Sequence, residues 1–173
     1  MVSHYLDGTV REVLPDAAVS HGIRIVETPN PRHWSKRQCA FSEWYGRNAG
    51  VGGLLPANIP IDEMAVEFGY IHKLVLGRDG SDFQYRIYGS RVAEAANLDM
   101  QGRWVSDHMP PHREVFLEHY LGMIVHPRLY VGQVHLAGDG LKTPRWRRAD
   151  APFGTDKDGV TGIIVMAVPE SRD

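Results

Sequence analysis

The chain has 173 residues, of which 43% are hydrophobic and 23% charged, and its formal net charge is -2. That length can bury its own core without disulfide or metal staples, and the charge gives no overall field favouring nucleic acid or an anionic membrane. The single cysteine, Cys39, excludes an intramolecular disulfide and suits a reducing, cytoplasmic setting; no window nears the ~20 apolar residues of a membrane span, and the first residues lack the apolar stretch of a secretory signal.

Residues 1–32 read as an N-terminal extension. Its one legible element is an alternating strand over 22–29, "GIRIVETP". A helix and linker follow over 33–60. In "HWSKRQCAFSEWYGRN", Trp34, Phe41, Trp44 and Tyr45 recur at helical spacing. Gly50, Gly52 and Gly53 stop that helix, and "LLPANIP" is the linker. The core, 61–169, opens with a short helix over Ile61–Phe68, where Asp62 and Glu63 suit the positive end of the helix dipole.

Three Asp-Gly pairs come next: Asp79-Gly80, Asp139-Gly140 and Asp158-Gly159. Each lies between alternating or apolar runs. Tight hairpin turns need positive φ, which glycine adopts without strain. The first pair joins "YIHKLVLG" to "FQYRIYGS". The second joins "RLYVGQVHLAG" to "TPRWRRADAPF", and the third joins that strand to "VTGIIVMAV". Between the first hairpin and the last three strands lies a helical block. It holds a short helix, "SRVAEAANLD", the irregular "MQGRWVSDHMPP", and a longer helix, "HREVFLEHYLGMIVHP". Phe116, Leu117, Tyr120, Met123 and Ile124 share one face of the longer helix, and Pro127 ends it. Residues 170–173 are a tail. The final strand is almost wholly apolar, so it belongs in the middle of a sheet, covered on both faces. The strands with Arg86 and Arg128 are more polar, as edges are. The pattern predicts an α+β fold: a five-stranded antiparallel sheet in the order 2-1-5-4-3, with helices on one face.

Four stretches resemble a known family. They are the tryptophan-bearing helix ahead of "LLPANIPIDEM", the strand "YRIYGSRV", the helix exit "NLDMQGRWVSD" and the closing "RADAPFGTDKDGVTGIIVMAV". In that order, over about 33–169, they are similar to a bacterial PAS-like family. The departure is "APF" at 151–153, where the family has leucines around the proline. The resemblance implies a sensory or signal-relay module without catalysis of its own. It implies a small-ligand space between sheet and helices, and action through a signalling partner or as a homodimer. It names no cofactor, since such folds bind haem, flavins, metabolites or nothing, and fold does not fix function. Cys39 lies outside the core, which weakens adduct-forming flavin chemistry.

Several residues are candidates for a site. Strand alternation places Arg86 and Tyr88 on the face opposite Tyr85 and Ile87. Arg86 is then either a surface arginine in an ion pair or, with the faces reversed, an anchor gripping a carboxylate beneath the helices. Tyr85, Trp104, His108, Tyr120 and Trp146, with Phe116, fall in segments surrounding the space between sheet and helices, where aromatic rings with polar tips line small-molecule pockets. Trp104, in the irregular segment, is the favoured wall. The 9 histidines include His108 and His112 around two prolines and His119 and His126 on the long helix, none at a clear metal-binding spacing. In "RWRR", alternation sets Arg145 and Arg147 against Trp146 and Arg148; a solvated sheet face explains them better than nucleic acid. "GVGG" at 50–53 is a helix stop and not a phosphate loop. Trp34, Phe41, Trp44 and Tyr45 form a stripe suited to the sheet's outer face or to a second copy in a homodimer. A different class of reading is a small enzyme or carrier for an acidic metabolite, working through Arg86 and His108.

Overall fold

A computed structural model describes residues 2–4, 11–13, 23–136 and 145–170. The Asp139-Gly140 turn and most of the N-terminal extension lie outside them. The fold is α+β, with a mostly antiparallel sheet and three helices. The strands are β1 (Val2–His4), β2 (Arg11–Val13), β3 (Ile23–Glu27), β4 (Leu55–Pro56), β5 (Ile71–Leu76), β6 (Phe83–Ile87), β7 (Tyr130–Leu136), β8 (Arg145–Thr155) and β9 (Gly159–Pro169). The helices are α1 (Lys36–Asn48), α2 (Ser90–Ala96) and α3 (His112–Val125). Neighbours across the sheet run β1-β2-β3-β7-β8-β9-β5-β6, with β4 beside β8. Among the described residues, no helix is long and apolar enough to cross a membrane.

The expected hairpin chemistry is present at two turns. Gly80 and Gly159 adopt φ of 72° and 69°, the left-handed region that glycine enters freely. β9 lies between β8 and β5 and alternates between two cores. Ile163, Val165 and Ala167 meet α2 and α3; Ile164 and Met166 meet α1. The sheet is therefore covered on both faces, and each set of apolar residues in β9 has its own helix layer.

Two expectations change. Ile61–Phe68 is not a helix: Ile61–Glu63 makes a single 3-10 turn and Phe68–Tyr70 another. Pro60 leaves no side-chain cap on the first, and the two turns are separated by Met64 and Val66, which anchor in the α1-side core. Nor is the Arg128-bearing segment an edge. Arg128 precedes β7, and β3 pairs with the outer side of that strand. The polar character reflects an ion pair between Arg128 and Glu27 at 2.5 and 3.0 Å.

α1 starts at a reciprocal cap. Ser35 Oγ accepts from the Gln38 N–H at 3.2 Å, and Gln38 Oε1 accepts from the Ser35 N–H at 2.9 Å. Gln38 is 1% exposed, and its Nε2 donates to the carbonyls of Gly132 and Arg148, each at 2.9 Å. The amide thus stitches α1 to β7 and β8. Phe41 and Trp44 are 0% and 1% exposed, packed among Leu55, Ile71, Ala149, Ile164 and Met166. Trp34 donates to the Thr28 carbonyl at 2.5 Å, and Tyr45 to the Gly53 carbonyl at 2.9 Å. Phe41 and Trp44 of the expected dimerisation stripe are taken up by the chain's own core, while Trp34 and Tyr45 are half-buried. The physical reason is the row of small residues Ala149 and Ala151 on β8, which lets bulky rings settle on the sheet.

Candidate functional site

Between the sheet and helices α2 and α3 lies a cavity of about 350 Å³. Six of the expected residues line it: Tyr85, Tyr88, His108, Phe116, Tyr120 and Trp146. Two do not. Trp104 is 38% exposed and stands outside the lining; its backbone N–H donates to Asp107 Oδ2 at 2.8 Å. Arg86 is exposed and has no hydrogen-bond or ion-pair partner among the described residues.

The fate of Arg86 follows from one extra residue. Leu74 pairs with Tyr85, and the adjacent Lys73 pairs with Ile87, so the register shifts and Arg86 is left without a partner. This is a β-bulge on a strand at the end of the sheet. It resets the alternation. Tyr85 lies on the cavity side before the bulge, and Tyr88 returns to that side after it, stacked on His72 at 4.2 Å. Arg86 and Tyr88 therefore do not share a face as strict period-two counting requires. Gly89 completes the turn. A β-carbon there would come within 2.3 Å of the Gly69 carbonyl oxygen, so only glycine allows this crossing into α2.

The arginine that does reach the cavity is Arg148, on β8. It is 5% exposed. Trp146, Arg148 and Asp150 follow at intervals of two, so they face the same side. Asp150 is 0% exposed and its Oδ1 accepts from Arg148 Nε at 3.3 Å and Nη2 at 3.1 Å. Its Oδ2 lies 2.7 Å from His119 Nε2 on α3. Arg148 Nη2 also donates to Tyr120 Oη at 2.6 Å, and the guanidinium lies 5.3 and 5.5 Å from the ring centres of Phe116 and Tyr120. The solvated "RWRR" face thus holds for Arg145, which is exposed, and fails for Arg148. Burial opposes the charge on both partners. Asp150 nonetheless holds Arg148 above its ordinary value, and Arg148 with His119 holds the Asp150 carboxyl below the usual range.

Three histidines line the same space: His72, His108 and His112. Burial, aided by the Arg148 charge, pushes His72 down to about 3. Its Nδ1 accepts from the Gly89 N–H at 3.2 Å, so the neutral ring carries its proton on Nε2. Burial, then His112 and Arg148, lower His108 to about 4; its Nε2 lies 3.1 Å from Tyr85 Oη. His112 is also lowered by burial. Among the described residues no three metal-ligating side chains gather. A stability consequence follows for His72 and His108. Their folded pKa values lie below the unfolded value, so the unfolded chain takes up protons first as pH falls. Stability is full above about 6.5 and declines on acidification toward 4 and 3. At pH 5 the loss is about 2 kcal/mol from His72, with less from the more exposed His108. Urea midpoints measured from pH 7.5 to 5 check this: His72→Gln flattens the slope, and an unchanged slope refutes the assignment.

His72, Arg148 and Asp150 were not singled out from the sequence as site residues. The signal was there for all three, since His72 is in phase with Leu74 on β5, and Arg148 and Asp150 with Trp146 on β8. Comparisons with family models, with curated proteins and with solved structures found no match.

Proposed function

We propose that the chain is a PAS-like sensory or signal-relay module that holds a small ligand between the sheet and helices α2 and α3, without catalysis of its own. The observation that carries this reading is the cavity of about 350 Å³, walled largely by rings and reached by one buried arginine. Its size is at the lower end for small-molecule pockets. Support for the PAS-like part comes from the resemblance of the ordered motifs and from the strand sequence β6-β5-β9-β8-β7 within the sheet, which is the order 2-1-5-4-3 when those five strands are counted along the chain. Action through a signalling partner or a homodimer remains part of the proposal. A dimer would use a surface other than Phe41 and Trp44, which the sheet already covers. The enzyme or carrier reading built on Arg86 and His108 loses its arginine to solvent.

The test is ligand retention by the full chain. Ala95 on α2 lines the cavity, and Ala95→Trp fills part of it. The protein is incubated with a small-molecule extract of cells, desalted and measured by native mass spectrometry. Wild type is expected to carry added mass that Ala95→Trp loses while both melt cooperatively. Equal retention by both, or none by wild type, overturns the proposal.

A further inference from the structure

Resting on the ligand-binding reading above, we infer that the ligand is an aromatic monocarboxylate, its acid on Arg148 Nη1 and its flat body among the cavity rings. The argument begins with donor accounting. A guanidinium has five N–H donors. In Arg148, Nε and Nη2 are engaged by Asp150 and Tyr120. Nη1 has no acceptor among the described residues, and it is not among the side-chain atoms sealed from solvent without a partner. Arg148 lines the cavity, so the cavity is where that nitrogen finds an acceptor. The side chain is otherwise 5% exposed. Asp150 and the flanking rings fix its plane, so a guest loses little by docking on it.

The charge of the guest follows from its surroundings. Among the described residues no aspartate or glutamate lines the cavity, so none of these walls repels an anion. The histidines that line it are pushed toward the neutral form, leaving Arg148 as the one fixed positive charge among the described lining residues. That charge is partly offset by Asp150, which His119 shares. One remaining donor nitrogen and one partly offset cation suit a single carboxylate. A phosphate dianion would need further cations beside so deeply buried an arginine. A charge-assisted bond also exceeds one to a neutral carbonyl.

The body of the guest follows from the walls. Rings of His72, Tyr85, Tyr88, Phe116, Tyr120 and Trp146 surround the space. Tyr88 Oη has no partner among the described residues and offers a second polar contact. Ring walls favour a flat guest through offset and edge contacts. A flexible aliphatic acid would lose rotamer freedom there and gain no such contacts.

Calorimetric titration of the full chain at pH 7.5 tests this with three probes: 2-naphthoate, 2-naphthamide and hexanoate. The expected result is naphthoate binding at least about tenfold tighter than either of the others, with the preference over the amide lost in Arg148→Lys, which keeps a charge and lacks the fork. Equal binding of acid and amide overturns the carboxylate and leaves the ligand-binding reading standing. Hexanoate equal to naphthoate overturns the aromatic body. No binding of any probe overturns the inference altogether, while the retention experiment independently decides whether the cavity holds a ligand. If Arg148→Lys does not fold, the wild-type comparison of acid and amide still decides.

Discussion

Asp150→Ala will lower the unfolding free energy by about 3–5 kcal/mol. The carboxylate is 0% exposed and receives Arg148 and His119 at its two oxygens. Removing it leaves the Arg148 guanidinium buried beside Phe116 and Tyr120 without a counter-charge. Removing both charges should hurt far less than removing one, because the penalty is that of an orphaned charge more than the worth of the pair. The double variant Arg148→Met with Asp150→Ala is therefore expected to recover much of the loss. Urea unfolding of the two single variants and the double variant closes the cycle. A cost below about 1 kcal/mol for Asp150→Ala would mean that water screens the pair and that the cluster is not a dry anchor.

Trp44→Ala will cost about 3–5 kcal/mol, the range for truncating a fully buried large aromatic side chain. Trp44 meets Phe41 at 5.4 Å between ring centres and fills the layer between α1 and the sheet. Its Nε1 has no hydrogen-bond partner among the described residues, so Trp44→Phe removes an unsatisfied donor as well as volume and should cost markedly less. Denaturation at two protein concentrations separates this packing from an interface. If the ring belongs to the chain's own core, the midpoint loss is the same at both. A loss that appears only at high concentration would return the stripe to a subunit contact.

The fold was legible where a local rule and the burial pattern agreed. Asp79-Gly80 and Asp158-Gly159 demanded turns, and the apolar run of β9 demanded two covered faces. Ile61–Phe68 failed because a few helix-favouring residues at its start do not outweigh anchoring of Met64 and Val66 in the core, a tertiary effect. Within the site, Tyr85, His108, Tyr120 and Trp146 were readable as ring-bearing positions around one space. Alternation puts Arg148 on the cavity side of β8 with Trp146, but exposed arginines are the common case. What overrode that rate was Asp150, two residues on, whose carboxylate makes the burial affordable. Gln38 was invisible for a similar reason, since its carbonyl partners on β7 and β8 are backbone groups that no sequence pattern marks.

The bulge at Arg86 works as a comma in the chain's counting. Deleting that one residue would restore strict alternation with Tyr85 and Tyr88 still on the cavity side, because Ile87 would then be the single residue between them, whereas flattening the bulge with Arg86 kept would turn Tyr88 out to water and take a ring from His72. Adding a residue on the same strand would do comparable harm. The cavity wall is thus set by the pairing on either side of the bulge, and the arginine placed there can be any side chain that water accepts.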